Sequence, residues 1–292
     1  MGKIGDPTAE STKMRPVSAH PQLDAAWQSW IRDNVARGCT RESLLQSMTE
    51  AHWHPAAASI ALDQFLVNTD SLPPAVPVPE PTLTGAPGQI VVRGRPIKVL
   101  LSMTLPRLVV FGGVLSEDEC DQLVAEARPR LSPSTVVEDS TGDAAMHAAR
   151  VSEGMFFSLG ETPLIREIEA RLGELVNWPV DRAETLQVLH YHPGGKYEPH
   201  NDYFPYGREG TAKVTARGGQ RVGTIILYLN TPESGGATEF PEVGLEVVAQ
   251  KGNAVFFSYA RPHASTKTLH GGRPVLCGEK WIATKWLRER PF

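Results

Sequence analysis

Apolar residues recur at helical spacing early in the chain and at strand spacing late in it. Leu23, Trp27, Trp30 and Ile31 recur at i, i+4, i+7 and i+8, the stripe of an amphipathic helix. Thr40 stands as an N-cap before a second run with Leu44, Leu45 and Met48, and a third segment, Ala56 to Val67, carries Ile60, Leu62, Phe65 and Leu66. These predict a small helical domain over 21–70 with Trp27 and Trp30 in its core. Residues 1–20 show no such pattern and predict a disordered leader. The stretch SLPPAVPVPEPTLTGAPG (71–88) is too proline-dense for a helix interior or central strand and predicts a semi-rigid linker.

From 89 to 292 the period changes. The β-rich runs IVV (90–92), IKVLLS (97–102) and RLVVF (107–111) come first. Ser116 and Glu119 form a capping-box pattern for a helix over 116–128, and Thr162-Pro163 opens another, with Ile165, Ile168, Leu172 and Leu175 on one face. After 186 come short strands separated by Gly/Pro turns: LQVLHYH, RVGTIILYLN, GATEFP, LEVVAQ, NAVFFSY, ASTKTLH and WIATKWL. Short strands at this spacing predict a β-sandwich or jelly roll. Since the helices precede most strands, they are expected to back one sheet, giving an α+β class. The polar, Gly-rich segment 203–220, with Tyr203, Phe204, Tyr206, Arg208, Lys213 and Arg217, predicts a mobile lid.

Composition narrows the function. A net charge of −4 without a basic run gives no footprint for nucleic acid. No apolar stretch reaches membrane-span length, and the N-terminus lacks the apolar core of a signal peptide. Cys39, Cys120 and Cys277 form no paired motif, which predicts a reducing, cytoplasmic setting.

The chemistry gathers in LQVLHYHPGGKYEPHND, which ends in His200-x-Asp202. Residues i and i+2 of a strand share a face, so both can reach one ion. An isolated His-x-Asp is more often a surface pair. Here His270 follows downstream, expected to end a strand before a Gly-Gly turn, and completes two histidines and a carboxylate. That donor set is the facial triad of a non-haem Fe(II) oxygenase. Ten residues on, Lys280 lies between the apolar runs PVLC and WIATKW. A lysine buried there needs an anion, and a dicarboxylate co-substrate would supply one.

At these residues the chain resembles the prolyl 4-hydroxylase family of Fe(II)/2-oxoglutarate dioxygenases. The resemblance runs from about Pro106 to Arg288, through VVFGGVLSEDECDQLVAEARPRL, SEGMF, LQVLHYHPGGKYEPHNDYF, GGQRVGTIILYLNTPESGGATEFP and LHGGRPVLCGEKWIATKW. It implies a double-stranded β-helix (jelly-roll) core with supporting helices. It implies His200, Asp202 and His270 as iron ligands, and Lys280, Tyr191 and Thr238 as contacts to 2-oxoglutarate. It further implies Arg221 and Trp286 at the substrate. Fe(II), 2-oxoglutarate and O2 are the implied cofactor and co-substrates, with ascorbate a further candidate. The implied reaction is C4 hydroxylation of a prolyl residue in a peptide or protein partner, coupled to decarboxylation of 2-oxoglutarate to succinate. The alternatives are hydroxylation of a free amino acid or other small molecule, and a non-catalytic peptide-binding module. A rival, cupin-like site consists of His190, His192 and Glu198; His263 falls on the opposite strand face from His270 if that strand is regular. Tyr228 faces either core or co-substrate, which strand parity leaves open.

Overall fold

A computed structural model describes residues 23–36, 39–67, 75–83, 88–134, 136–137, 144–145, 151–205 and 209–292. The expected leader 1–20, linker residues 71–74 and 84–87, and Tyr206 and Arg208 of the expected lid lie outside the described residues. The chain divides into two compact units, Met1–Pro74 and Ala75–Phe292.

The first unit contains helices α1 (Ala25–Ala36), α2 (Arg41–Glu50) and α3 (Pro55–Val67). Thr40 caps α2 by accepting from the Ser43 amide at 3.2 Å, satisfying a donor the helix cannot. Trp27, Ile31, Leu44, Met48, Trp53 and Leu62 are among its core residues. Trp27 meets Trp30 and Trp53 edge-on, with ring centroids 5.2 and 5.7 Å away. Ile60, expected on the apolar face, is 46% exposed, because α3 is apolar on nearly all sides and its pattern does not select a face.

The second unit opens with residues 75–83. They bond along its surface: Val76 N–H to the Ala260 carbonyl at 2.8 Å and Glu80 N–H to that of Val176 at 2.9 Å. An extended proline-rich backbone makes no internal hydrogen bonds, so its amides remain available to neighbours. Gly223 leaves room for this segment: a Cβ there would lie 2.8 Å from the Pro79 ring.

The described strands of the main sheets are β1 (Gln89–Val92), β2 (Arg95–Met103), β3 (Arg107–Gly112), β4 (Ser132–Pro133), β5 (Glu153–Phe157), β6 (Leu186–Tyr191), β7 (Tyr197–His200), β8 (Arg221–Tyr228), β9 (Thr238–Phe240), β10 (Leu245–Val247), β11 (Ala254–Ser258), β12 (His270–Gly272) and β13 (Lys280–Arg288). Nine form one antiparallel sheet in the order β1-β2-β3-β11-β8-β13-β6-β5-β4, and four form a second in the order β10-β9-β12-β7.

Strand parity sorts the large sheet into two faces. Val188, Ile225, Leu227, Phe256, Trp281 and Ala283 point to helices α4 (Glu117–Ala127) and α5 (Pro163–Leu175) and meet Leu123, Ile165, Ile168 and Leu172. Leu189, Tyr191, Ile226, Tyr228, Phe257 and Ile282 point the other way and pack with Phe240 and Val247 of the small sheet. This is the expected jelly roll, with helices on its outer face and the functional residues between the sheets. Ser116 and Glu119 form the expected reciprocal capping box of α4, and Thr162 caps α5 with Pro163 at its first position.

Candidate active site

β7 and β12 pair with His200 opposite His270. Their Nε2 atoms lie 3.6 and 3.5 Å from the two oxygens of Asp202. Asp202 arrives by a different route from the one expected. Strand β7 stops at His200 and Asp202 sits in a bend, so local turning, not strand parity, brings the carboxylate inward. His270 likewise begins a strand, with Gly271 and Gly272 inside it. Gly271 permits that pairing, since a Cβ would lie 2.9 Å from the Tyr197 carbonyl.

The donor set suits a divalent metal. His200 Nδ1 faces the Glu198 carbonyl and His270 Nδ1 the Thr268 carbonyl, each at 2.9 Å. A carbonyl only accepts, so each Nδ1 carries the proton and donates it. In a neutral ring this leaves the Nε2 lone pair facing Asp202. Burial pushes the His270 imidazole down to about 4, against the opposing pull of Asp202, so it is neutral at physiological pH. Burial alone would raise the Asp202 carboxyl, but at the low pH where it would protonate His270 is charged, and with His200 it outweighs burial and holds the group well below the usual carboxylate range. The Thr224 hydroxyl donates to Asp202 Oδ2 at 2.7 Å and meets the Tyr259 hydroxyl at 3.0 Å. Tyr197 stacks on His200, centroids 3.7 Å apart.

A pocket of about 430 Å³, including its open mouth, joins these ligands to Tyr191, Thr238, Lys280 and Trp286. Lys280 pairs in register with Tyr191, and its Nζ lies 5.6 Å from that ring's centroid. Burial pushes the ammonium down to about 8. Among the described residues no carboxylate pairs with it. Thr238 accepts a 2.8 Å hydrogen bond from the Tyr228 hydroxyl, so Tyr228 is a core residue that orients a pocket hydroxyl.

Residues 186–288 match the family model described as the 2OG-Fe(II) oxygenase superfamily. Over 208 residues the chain is 38% identical to prolyl 4-hydroxylase 5 of Arabidopsis thaliana, covering 64% of this chain and 70% of that relative. Probable prolyl 4-hydroxylase 10 of the same plant is 39% identical over the same coverage. Among solved structures, a viral collagen prolyl hydroxylase from Paramecium Bursaria Chlorella virus-1 is 31% identical, with 62% of this chain and 95% of that one covered and a TM-score of 0.48. Donor set and family model together define an oxygenase that uses Fe(II), 2-oxoglutarate and O2. Within that class, the chain belongs to the prolyl 4-hydroxylase family.

The geometry gives the other expected residues their places. Arg221, expected at the substrate, ion-pairs with Glu184 through Nε at 2.6 Å and Nη2 at 2.8 Å beside the pocket-lining Trp286. Its guanidinium also covers the Trp286 ring at 4.0 Å. Burial would lower its pKa, but Glu184 raises it above the ordinary arginine value. The rival site does not assemble as expected, because Glu198 pairs with Lys196 at 2.5 Å; Glu153 stands near His190 and His192 instead. No strand covers 264–269: His263 caps a single 3-10 turn by accepting from the Ser265 amide. The described parts of the expected lid are anchored. Tyr203 is buried in the core, Gln220 bonds both the amide and the carbonyl of Phe204 at 2.8 Å, and Arg288 donates to the Val214 and Arg217 carbonyls at 2.6 Å. Thr224, Tyr259 and Glu184 were missed. Strand alternation sets Thr224 on the same face as Ile226, but nothing local names its partner 22 residues away.

Proposed function

We propose that this chain hydroxylates a prolyl residue, at C4, in a peptide or protein. The observation that carries the proposal is the pocket's polarity: three metal donors at one place and, across the same cavity, a buried ammonium that lacks a carboxylate partner among the described residues. Relatives named prolyl 4-hydroxylases supply the substrate class.

His200, Asp202 and His270 would hold Fe(II), which supplies O2 activation coupled to decarboxylation of 2-oxoglutarate to succinate. Lys280 would receive the distal carboxylate of 2-oxoglutarate, with Tyr191 and Thr238 as hydroxyl partners beside it. A charge-assisted contact of this kind contributes roughly 1.5–3 kcal/mol. Thr224 holds Asp202 to one rotamer, and the two backbone carbonyls fix the imidazole tautomers. Trp286 would form a wall for substrate, held from behind by Arg221. Ascorbate would serve as an accessory reductant, and a cytoplasmic site fits the three free thiols.

A proline-rich peptide and free proline distinguish peptidyl from small-molecule hydroxylation. With Fe(II), O2 and 2-oxoglutarate supplied, succinate release should track gain of one oxygen on the peptide. Turnover of free proline alone would assign a small-molecule hydroxylase. No succinate release with either, in fully metallated protein, would favour the binding module.

A further inference from the structure

Tyr191 points into the pocket, so His190 on the same strand points to the other side of the sheet, and His192, one residue past the strand's end, turns to that side as well. There they meet Glu153 of the adjacent strand β5. We propose that Glu153, His190 and His192 form a second divalent-metal site, of the zinc class, separate from the iron ligands.

Three observations carry the assignment. The first is donor convergence. His190 Nδ1 and His192 Nε2 each lie 3.4 Å from the same oxygen, Glu153 Oε2, and the three donor atoms lie within 4.8 Å of one another, as do those of the iron cluster. Four-coordinate zinc at about 2.1 Å from each ligand places ligand atoms about 3.4 Å apart. The second is the contrast with an ordinary hydrogen bond on the same ring: His190 Nε2 meets Glu279 Oε2 at 2.8 Å. Hydrogen bonding alone would draw Glu153 in similarly.

The third is support. Glu279 accepts from His190 Nε2, which in a neutral ring turns the Nδ1 lone pair toward Glu153. Metal-binding histidines are commonly oriented by a carboxylate on their other nitrogen. His190 is also stacked on Trp281, centroids 4.1 Å apart and planes within 18°, and it is buried. His192 is 66% exposed, so the cluster is open to solvent. Two imidazole nitrogens and one carboxylate oxygen with room for water suit zinc or cobalt better than calcium or magnesium, which prefer all-oxygen sets. A metal here would clamp β5 onto β6 on either side of Tyr191.

The test uses the full chain with any purification tag removed, stripped of metal and titrated anaerobically with Co(II). Bound cobalt is counted by elemental analysis after dialysis, and visible absorption is recorded. Two equivalents are expected, one giving the weak bands of six-coordinate cobalt and one the intense bands of four-coordinate cobalt. His192→Ala removes an exposed ring and should leave one equivalent without the intense bands. Glu153→Gln should do the same, whereas Asp202→Ala should retain them. A single equivalent in the native chain, two equivalents without intense bands, or a second equivalent that survives both His192→Ala and Glu153→Gln overturns the assignment.

Discussion

Strand β13 carries two buried lysines five residues apart, and they have opposite fates. Lys285 points to the helices and ion-pairs with Glu169 at 2.6 Å, both side chains 2% exposed. Lys280 points to the pocket, and among the described residues it has no carboxylate partner. Both ammonium groups have lowered pKa values because burial disfavours charge. Burial therefore does not separate a structural lysine from a ligand-binding one. The absence of a protein counter-charge does, because that deficit is what an incoming carboxylate can relieve.

The contrast breaks most visibly under a crossed pair of substitutions. Lys285→Met leaves Glu169 buried and uncompensated, and should destabilise the fold by about 3–5 kcal/mol. Denaturant midpoints would read this, and 2-oxoglutarate affinity in the folded fraction should not change. Adding Glu169→Gln should recover much of the loss. Lys280→Met should do the reverse. It strands no protein charge, so stability should hold or rise, while 2-oxoglutarate binding weakens by roughly 2–5 kcal/mol. Calorimetric titration on anaerobic metal-loaded protein measures that loss. If Lys280→Met unfolds the chain or binds 2-oxoglutarate normally, the distinction between the two lysines is wrong.

Asp202 is the intermediate case: a buried charge stabilised partly by neutral donors. Thr224→Val removes its 2.7 Å hydrogen bond and leaves the Tyr259 hydroxyl without that partner. Loss of such an orienting contact typically costs 10–100-fold in metal affinity. Competition against an Fe(II) chelator gives the number. A change below about threefold would mean that the histidines position Asp202 without help.

The sequence made one half of the lysine contrast legible and not the other. Apolar runs flank Lys280 and mark it out. Lys285 lies within one of those runs and is equally buried, yet its partner is 116 residues upstream on α5. The same holds at Arg221, whose ion-pair partner Glu184 lies 37 residues away with no local signal. Local signals with fixed stereochemistry survived intact: the Ser116 and Glu119 capping box, the Thr162-Pro163 start, and strand alternation across β6 and β8. Signals that required a side chain to choose among distant partners did not. Glu198 was assigned to His190 and His192 because it is near them in sequence, but an intervening turn gives that place to Glu153.

The smallest expected effect is the most specific to an ammonium without a carboxylate partner among the described residues. In the ligand-free fold burial pushes Lys280 down to about 8 from its ordinary 10.5. Between these values the unfolded chain holds more protons than the folded one, so this residue makes stability rise with pH across that window. Ligand binding has the opposite sign. The distal carboxylate needs the charged form, so 2-oxoglutarate affinity should be flat below about pH 8 and fall as pH rises above it. The fall should approach tenfold per pH unit until the ligand-bound pKa is reached. Lys280→Met should bind weakly at every pH with that slope removed. A slope that persists in the variant belongs to another group, and Lys280 would then be charged throughout, held by a contact that its burial conceals.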